Sequence, residues 1–302
     1  MNKQSTRRGM LCALGAYLIW GLAPAYFKQI QQVPAIEILT HRIIWSVFFM
    51  AALLTLFSKW AQARAVFRQG RTLLMLGLTS LLVGGNWLLY IWAVNHHHML
   101  EASLGYFINP LVNILLGILF LGERFRKMQW LAVLLAACGV LMQLWKFGSL
   151  PLIALGLAFS FAFYGLLRKK LGIDPQIGML IETLWLLPAG AWYLFWFADS
   201  PTSHLGANSL SLNLLLISAG IITTVPLLMF ADAANNLRLS TLGFFQYLGP
   251  TLMFLLAVFC YGEVMTQDKL FAFSFIWLAL AVFIFDAVMW QKKSRQTRRG
   301  IA

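Results

Sequence analysis

A chain of 302 residues with 60% hydrophobic and 11% charged residues lies far from a soluble domain, in which roughly a quarter of residues are charged. Several apolar runs reach about 20 residues, enough for a helix to cross a hydrocarbon core of roughly 30 Å, and none alternates as a membrane β-strand does. The net charge of +13 comes from short basic clusters between apolar runs, not from one patch, so it reads as membrane topology. Lipid is therefore an expected partner and nucleic acid is not.

In chain order the apolar runs predict ten spans: Gly9–Lys28, Ile36–Ser58, Thr72–Val94, Ala102–Gly122, Met128–Trp145, Leu150–Arg168, Gln176–Ala198, Leu210–Ala234, Ser240–Gly262 and Lys269–Trp290. The first follows Arg7 and Arg8 and ends near Ala23-Pro24-Ala25. It is read as a span and not as a cleaved leader, because it extends to full spanning length and further spans follow. Alternate connections divide the basic residues unequally: the side holding 1–8, 59–71, 124–127, 168–170, Arg238 and 292–299 collects 19 of the 23 Lys and Arg. The positive-inside rule then puts both termini in the cytoplasm, with the chain in the cytoplasmic (inner) membrane.

Ala102 to Glu123 returns in altered form as Ser240 to Glu263. Each copy opens with Leu-Gly and two aromatic residues, and each closes on Gly-Glu, thirteen positions after Pro110 or Pro250. Leu14-Gly15 against Leu155-Gly156, and Ile36-Glu37 against Ile181-Glu182, are weaker echoes. The expected fold is all-α, ten transmembrane helices in two five-helix repeats, residues 1–145 and 146–302, the second with a basic tail. An odd number of spans per repeat makes the second enter the membrane from the opposite side, an inverted repeat of the kind that encloses a transporter's binding site.

The duplicated halves, the closing Gly-Glu, Glu37-Ile-Leu-Thr-His41-Arg42-Ile-Ile-Trp45-Ser46, Gly105-Tyr106-Phe-Ile-Asn109-Pro110-Leu and Gln246-Tyr247-Leu-Gly-Pro250-Thr251 resemble the drug/metabolite transporter superfamily in its EamA-like form. The resemblance runs over essentially the whole chain. It implies a permease in which the first four helices of each half surround a central cavity and the fifth sits outside.

Charge within a span costs about 2.5–3.5 kcal/mol on insertion scales, so it marks candidate function. Glu37 and His41 share a helical face, with Arg42 turned about 100° from His41. Together they suggest a gate or an anion-recognising pair on the outer side; alternatively Arg42 snorkels to headgroups. Glu182 lies roughly 9 Å into its span, where a carboxylate either pairs with a cation or keeps its proton, and it suits gating or proton coupling. A structural hydrogen bond between helices is the competing role. Asp232 and Asp286, near span ends, are expected to pair with basic loop residues.

Tyr106, Asn109 and Asn113 form one stripe of the fourth span, and Asn86 with Tyr90 another on the third. With Gln246 and Tyr247 they are the expected cavity lining, beside Trp20 and Trp87 as walls; asparagine is also ordinary glue between helices. Pro110 and Pro250 are expected to bend their helices, and Pro24, Pro188 and Pro226 to add hinges. His96, His97 and His98 cannot all aim at one ion from a regular helix, and Cys12, Cys138 and Cys260 form no cluster, so no metal site is expected. No GxxxxGK[ST] pattern occurs and His41 has no identifiable nucleophile partner, so neither a cofactor nor catalysis is expected. The sequence thus points to a secondary transporter, expected to export a small organic solute: amino-acid-like, an aromatic metabolite or a drug. A channel-like uniporter is the alternative, ahead of an intramembrane enzyme. Ala132 and Ala136 give the fifth span a small-residue face for a second copy, a homodimer.

Overall fold

The computed structural model describes residues 3–96, 98–148, 150–260 and 267–299. Long apolar sequence without internal water must satisfy its backbone locally, which favours helix, and the described residues contain helices and no strand. The order is α1 Lys3–Phe27, α2 Ala35–Leu56, α3 Trp60–Phe67, α4 Gly70–Asn95, α5 Met99–Leu121, α6 Lys127–Phe147, α7 Leu152–Leu171, α8 Pro175–Trp196, α9 Leu210–Asn236, α10 Leu239–Gln246, α11 Leu248–Phe259 and α12 Gln267–Arg299. Ten helical stretches among the described residues are long and apolar enough to span a membrane, with α10 and α11 together making one.

Most predicted boundaries fall within three residues of these helices. The short α3 was not expected, α1 begins six residues early, and α12 carries the basic tail on as helix. The two prolines of the repeat differ in effect. Pro110 lies inside the unbroken α5, whereas the ninth span breaks at Tyr247 and Pro250 stands in the first turn of α11, where its missing N–H has no helical partner to lose. Pro24, Pro188 and Pro226 also lie inside continuous helices.

Pairing α1 with α7, α2 with α8, α4 with α9, α5 with α10 and α11, and α6 with α12 maps the main packing contacts onto one another, although α7–α9 has no α1–α4 counterpart of similar extent. The α1–α9 contact becomes α7–α4, α2–α9 becomes α8–α4, and α5–α7 becomes α11–α1, while α2–α8, α5–α10 and α6–α12 map to themselves. Gly15 faces Met229 of α9 and Gly156 faces Leu89 of α4, so the first echo is reproduced in the packing. The second is not. Glu37 is the third residue of α2, whereas Glu182 is the eighth of α8, level with Arg42, the eighth of α2; Trp45 and Trp185 follow three residues after each.

α6 and α12 pack chiefly on each other, and this corrects the expected dimer face. Ala132 and Ala136 are fully buried, Ala132 against Ile114, Phe244 and Phe283 of the same chain, so neither alanine is free for a second copy. Small residues also let α2 and α9 touch. A Cβ on Gly220 would stand 2.5 Å from the Trp45 carbonyl carbon and 2.7 Å from the Ser46 nitrogen, and Ser46 Oγ donates to the Gly220 carbonyl at 3.2 Å. Gly220→Ala is expected to cost about 1–3 kcal/mol by forcing the helices apart. Gly85→Ala, where a Cβ meets nothing within 4 Å, is the matched control. Thermal unfolding in detergent checks this, and equal midpoints for the two variants would contradict the close approach.

Candidate functional site

Three polar layers run along the bundle between its two ends, one of which carries most of the basic residues and is called the basic end. The middle layer is a triangle of amides. Asn109 Nδ2 donates to the Ala158 carbonyl at 3.0 Å, and its Oδ1 accepts from Asn113 Nδ2 at 2.9 Å and from Gln246 Nε2 at 2.6 Å. Asn113 Nδ2 also donates to Gln246 Oε1 at 2.6 Å. Two helices far apart in the chain are thus joined through a closed polar network, which fixes α5 against α10. Tyr247 is fully buried beside it and donates to the Phe107 carbonyl at 3.4 Å. Tyr17 and Asn113 keep buried oxygens without a hydrogen-bond partner, Tyr17 Oη and Asn113 Oδ1.

Toward the end opposite the basic one lies Arg42. Its Nε donates to Thr223 Oγ1 of α9 at 2.7 Å, and its guanidinium carbon stands 4.7 Å from the Trp87 ring centroid and 5.7 Å from that of Phe27. The hydroxyls of Tyr106, Tyr90 and Tyr26 are within its electrostatic reach, and the Tyr90 and Tyr106 rings meet edge to face at 6.1 Å. Tyr106 is 42% exposed although its ring meets that of Tyr90 between the helices, so it borders open space. This is an aromatic-walled hollow with a cation on one wall.

Toward the basic end the layer around Glu182 is closed, beneath a cavity of about 500 Å³ lined by Glu123, Lys169 and Arg238. Glu182 and Arg168, 1% and 2% exposed, form an ion pair with Oε1 to Nη1 at 3.6 Å. Glu182 also accepts from Thr79 Oγ1 at 2.6 Å and Tyr164 Oη at 3.4 Å. Tyr164 stacks on Phe230 with centroids 5.9 Å apart, and both are fully buried. The guanidinium lies across Gly178, where a Cβ would be 1.7 Å from Nη1. Under the exchange of halves the α2–α9 pair, which holds Arg42 with Thr223, corresponds to the α8–α4 pair, which holds Glu182 with Thr79.

The predicted residues therefore divide among several places. Arg42, Tyr90 and Tyr106 meet at the hollow; Asn109, Asn113, Gln246 and Tyr247 lie in the middle layer; Glu182 lies in the closed layer. His41, 2% exposed, turns away from Arg42 and accepts from Trp45 Nε1 at 3.3 Å through Nδ1. The cause is the 100° step between neighbours on a helix. Glu37 accepts from Ser200 at 2.8 Å and Thr202 at 3.1 Å, tying down the connection between α8 and α9. Asn86 donates to the Leu157 carbonyl and Ser160 Oγ, each at 2.9 Å, a bridge between α4 and α7.

Arg168, Thr223, Thr79 and Phe27 were not singled out in the sequence. The sequence places Arg168 at the very end of the sixth span, but α7 runs on to Leu171 and ends at Gly172 in the left-handed conformation, which leaves Arg168 one turn inside. Asp232 and Asp286 pair as expected, Asp232 with Arg8 at 2.8 Å and Asp286 with Arg126. His96 and His98 stack on Trp92, and His98 lies 3.5 Å from Glu101; His97, Gly262 and Glu263 lie outside the described residues. Among the described residues no group of three His, Cys, Asp or Glu could hold a metal ion.

Comparison with known proteins agrees with this architecture. The model of the EamA-like transporter family matches residues 7–145. Protein RarD of Salmonella typhimurium is 68% identical over 97% of this chain and 100% of its own, and an uncharacterized transporter of Vibrio cholerae is 54% identical over 98% of each. A crystal structure superposes with a TM-score of 0.69 at 19% identity, covering 91% of this chain and 96% of its own, a likeness of fold alone. Ten apolar helices, a polar interior and near full-length identity to these relatives make this chain a multi-pass bacterial membrane transporter, not an enzyme, and a member of the EamA-like transporter family in its RarD group.

Proposed function

We propose that the protein is a secondary permease that carries a small organic solute across the cytoplasmic membrane by alternating access between two inverted repeats, residues 1–145 and 146–302. The basic end faces the cytoplasm, in accord with the positive-inside rule. The observation that carries the reading is the inequality of two equivalent half-sites: the hollow at Arg42 is open, with Tyr106 42% exposed, while the layer at Glu182 is buried. Two halves that pack by the same pairings have a second arrangement of similar energy in which these roles are exchanged, and a ligand that prefers neither state crosses by riding that exchange.

Glu182 is the proposed coupling group. With its carboxylate protonated the pair with Arg168 is broken, which favours opening the basic end, so protons moving inward drive the solute outward. Glu37 serves as an outer anchor, since it holds the connection from 197 to 209 across the start of α2.

Comparing metabolites inside and outside cells with and without the protein identifies the transported solute. Proteoliposomes preloaded with that solute are then expected to take up its labelled form by counterflow. A uniporter of channel type gives flux without counterflow, and that result would overturn alternating access. Transport that ignores an imposed pH gradient would remove the coupling role of Glu182 while leaving the carrier intact.

A further inference from the structure

We propose, building on the carrier reading, that the hollow at Arg42 selects an organic monoanion, a carboxylate on a flat apolar or aromatic body. Arg42 is a cation held among apolar surfaces, and it has no carboxylate partner among the described residues. Its Nε is taken by Thr223 at 2.7 Å, which sets the plane of the guanidinium, and no hydrogen bond from its two Nη nitrogens occurs within the described residues. A guanidinium edge left in this way presents two parallel donors, the geometry that a carboxylate accepts bidentately.

The carboxylates carried by α2 and α8 are engaged elsewhere. Glu37, on the same helix, is bound by Ser200 and Thr202. Glu182 is bound by Thr79 and Arg168 in the layer on the other side of the amide triangle. Among the described residues, the groups found around Arg42 are the neutral hydroxyls of Tyr26, Tyr90, Tyr106 and Thr223 and the rings of Phe27 and Trp87.

Net charge narrows the class further. One guanidinium balances one negative charge, whereas a phosphate monoester brings about −1.5 to −2 and leaves the excess desolvated. A zwitterion would place an ammonium beside Arg42, where among the described residues no carboxylate is found in contact. A cation would meet Arg42 as a like charge at low dielectric. The walls add a second requirement: Trp87 and Phe27 offer ring faces, so an inorganic anion would satisfy the guanidinium and leave these surfaces wetted.

The test is binding to the purified full chain in lipid nanodiscs, by calorimetry, with probes of one shape and differing charge: 3-phenylpropionate, 3-phenylpropanamide and phenethylammonium, with nitrate as the small anion. The propionate is expected to bind about tenfold or more tightly than its amide, as befits the loss of charge-assisted hydrogen bonds, and the ammonium and nitrate more weakly still. Arg42→Gln is expected to erase the preference for the anion. Arg42→Lys keeps the charge but not the fork, and is expected to weaken the propionate at least about tenfold while preserving its lead over the ammonium. Equal binding of anion and cation, nitrate as tight as the propionate, an unchanged preference in folded Arg42→Gln, or no binding of any probe would each overturn the proposal. Binding without counterflow would instead count against the carrier reading, so the two failures are distinguishable.

Discussion

Arg168→Leu is expected to abolish recovery of monodisperse protein, while Arg168→Leu with Glu182→Leu restores it. Glu182 is 1% exposed and Arg168 2%, so neither has water to fall back on. Removing only the arginine leaves a carboxylate that must stay charged without a cation or take up a proton, and breaking a buried pair on one side costs about 3–5 kcal/mol. The polar partners that remain, Thr79 at 2.6 Å and Tyr164 at 3.4 Å, hydrogen-bond the carboxylate but do not neutralise it. The pair is also imperfect. Its charged atoms are 3.6 Å apart, and Arg168 Nε and Nη1 have no hydrogen-bond partner. Replacing both by leucine therefore removes a costly desolvation along with the attraction, and such replacements are often neutral or stabilising. Size-exclusion profiles after mild heating measure the difference. A single variant as stable as the parent, or a double variant no better than the single, would sink this account. If Glu182 carries the coupling proton, the restored double variant also keeps counterflow but loses its response to a pH gradient.

The second large effect is expected at Glu123, which closes the first copy of the repeated segment and holds the start of the second. Its Oε1 accepts from the Leu239 N–H at 2.6 Å, and its Oε2 from the Ser240 N–H at 3.0 Å and from the Ser240 hydroxyl. These donors open α10, where a carboxylate meets both unpaired N–H groups and the positive end of the helix dipole. Gly117 makes room, since a Cβ there would lie 2.9 Å from Oε2. Glu123→Ala loses charge-assisted bonds worth about 1.5–3 kcal/mol each, and water at this end replaces part of that loss. A net loss of about 2 kcal/mol in the closed state alone would shift the populations ~30-fold toward opening of the basic end. In a chain lacking Cys12, Cys138 and Cys260, a cysteine introduced by Ala234→Cys reports the change, because Ala234 is fully buried near that end. Its maleimide labelling from the basic end is expected to accelerate by about that factor, and an unchanged rate would mean that Glu123 holds no gate.

Much of the plan was legible in the chain because it depends on quantities local to the sequence. Apolar run length sets the spans, and the unequal distribution of Lys and Arg sets the two faces. Asp232 and Asp286, placed near span ends among basic loops, could be matched to the class of partner they have. Local reasoning was less effective where helix register matters. The Ile36-Glu37 and Ile181-Glu182 echo looked like a shared position, yet the helices begin at Ala35 and Pro175, which puts Arg42 level with Glu182. His41 and Arg42 are adjacent in sequence and serve different surroundings. Arg168 looked like an ordinary span-end cation because its helix ends three residues later than its composition suggested.

From the sequence alone came a ten-span membrane protein with polar residues inside its spans, since spacing and hydropathy are properties of each segment by itself. Only the tertiary structure decided which of those polar residues meet: Arg42 with Thr223 across 181 positions, and Glu182 with Thr79 across 103. Choice of partner across such distances is settled by how whole helices pack, and the small residues that allow that packing, Gly178 beneath Arg168 and Gly220 against α2, have no polar signal of their own to read.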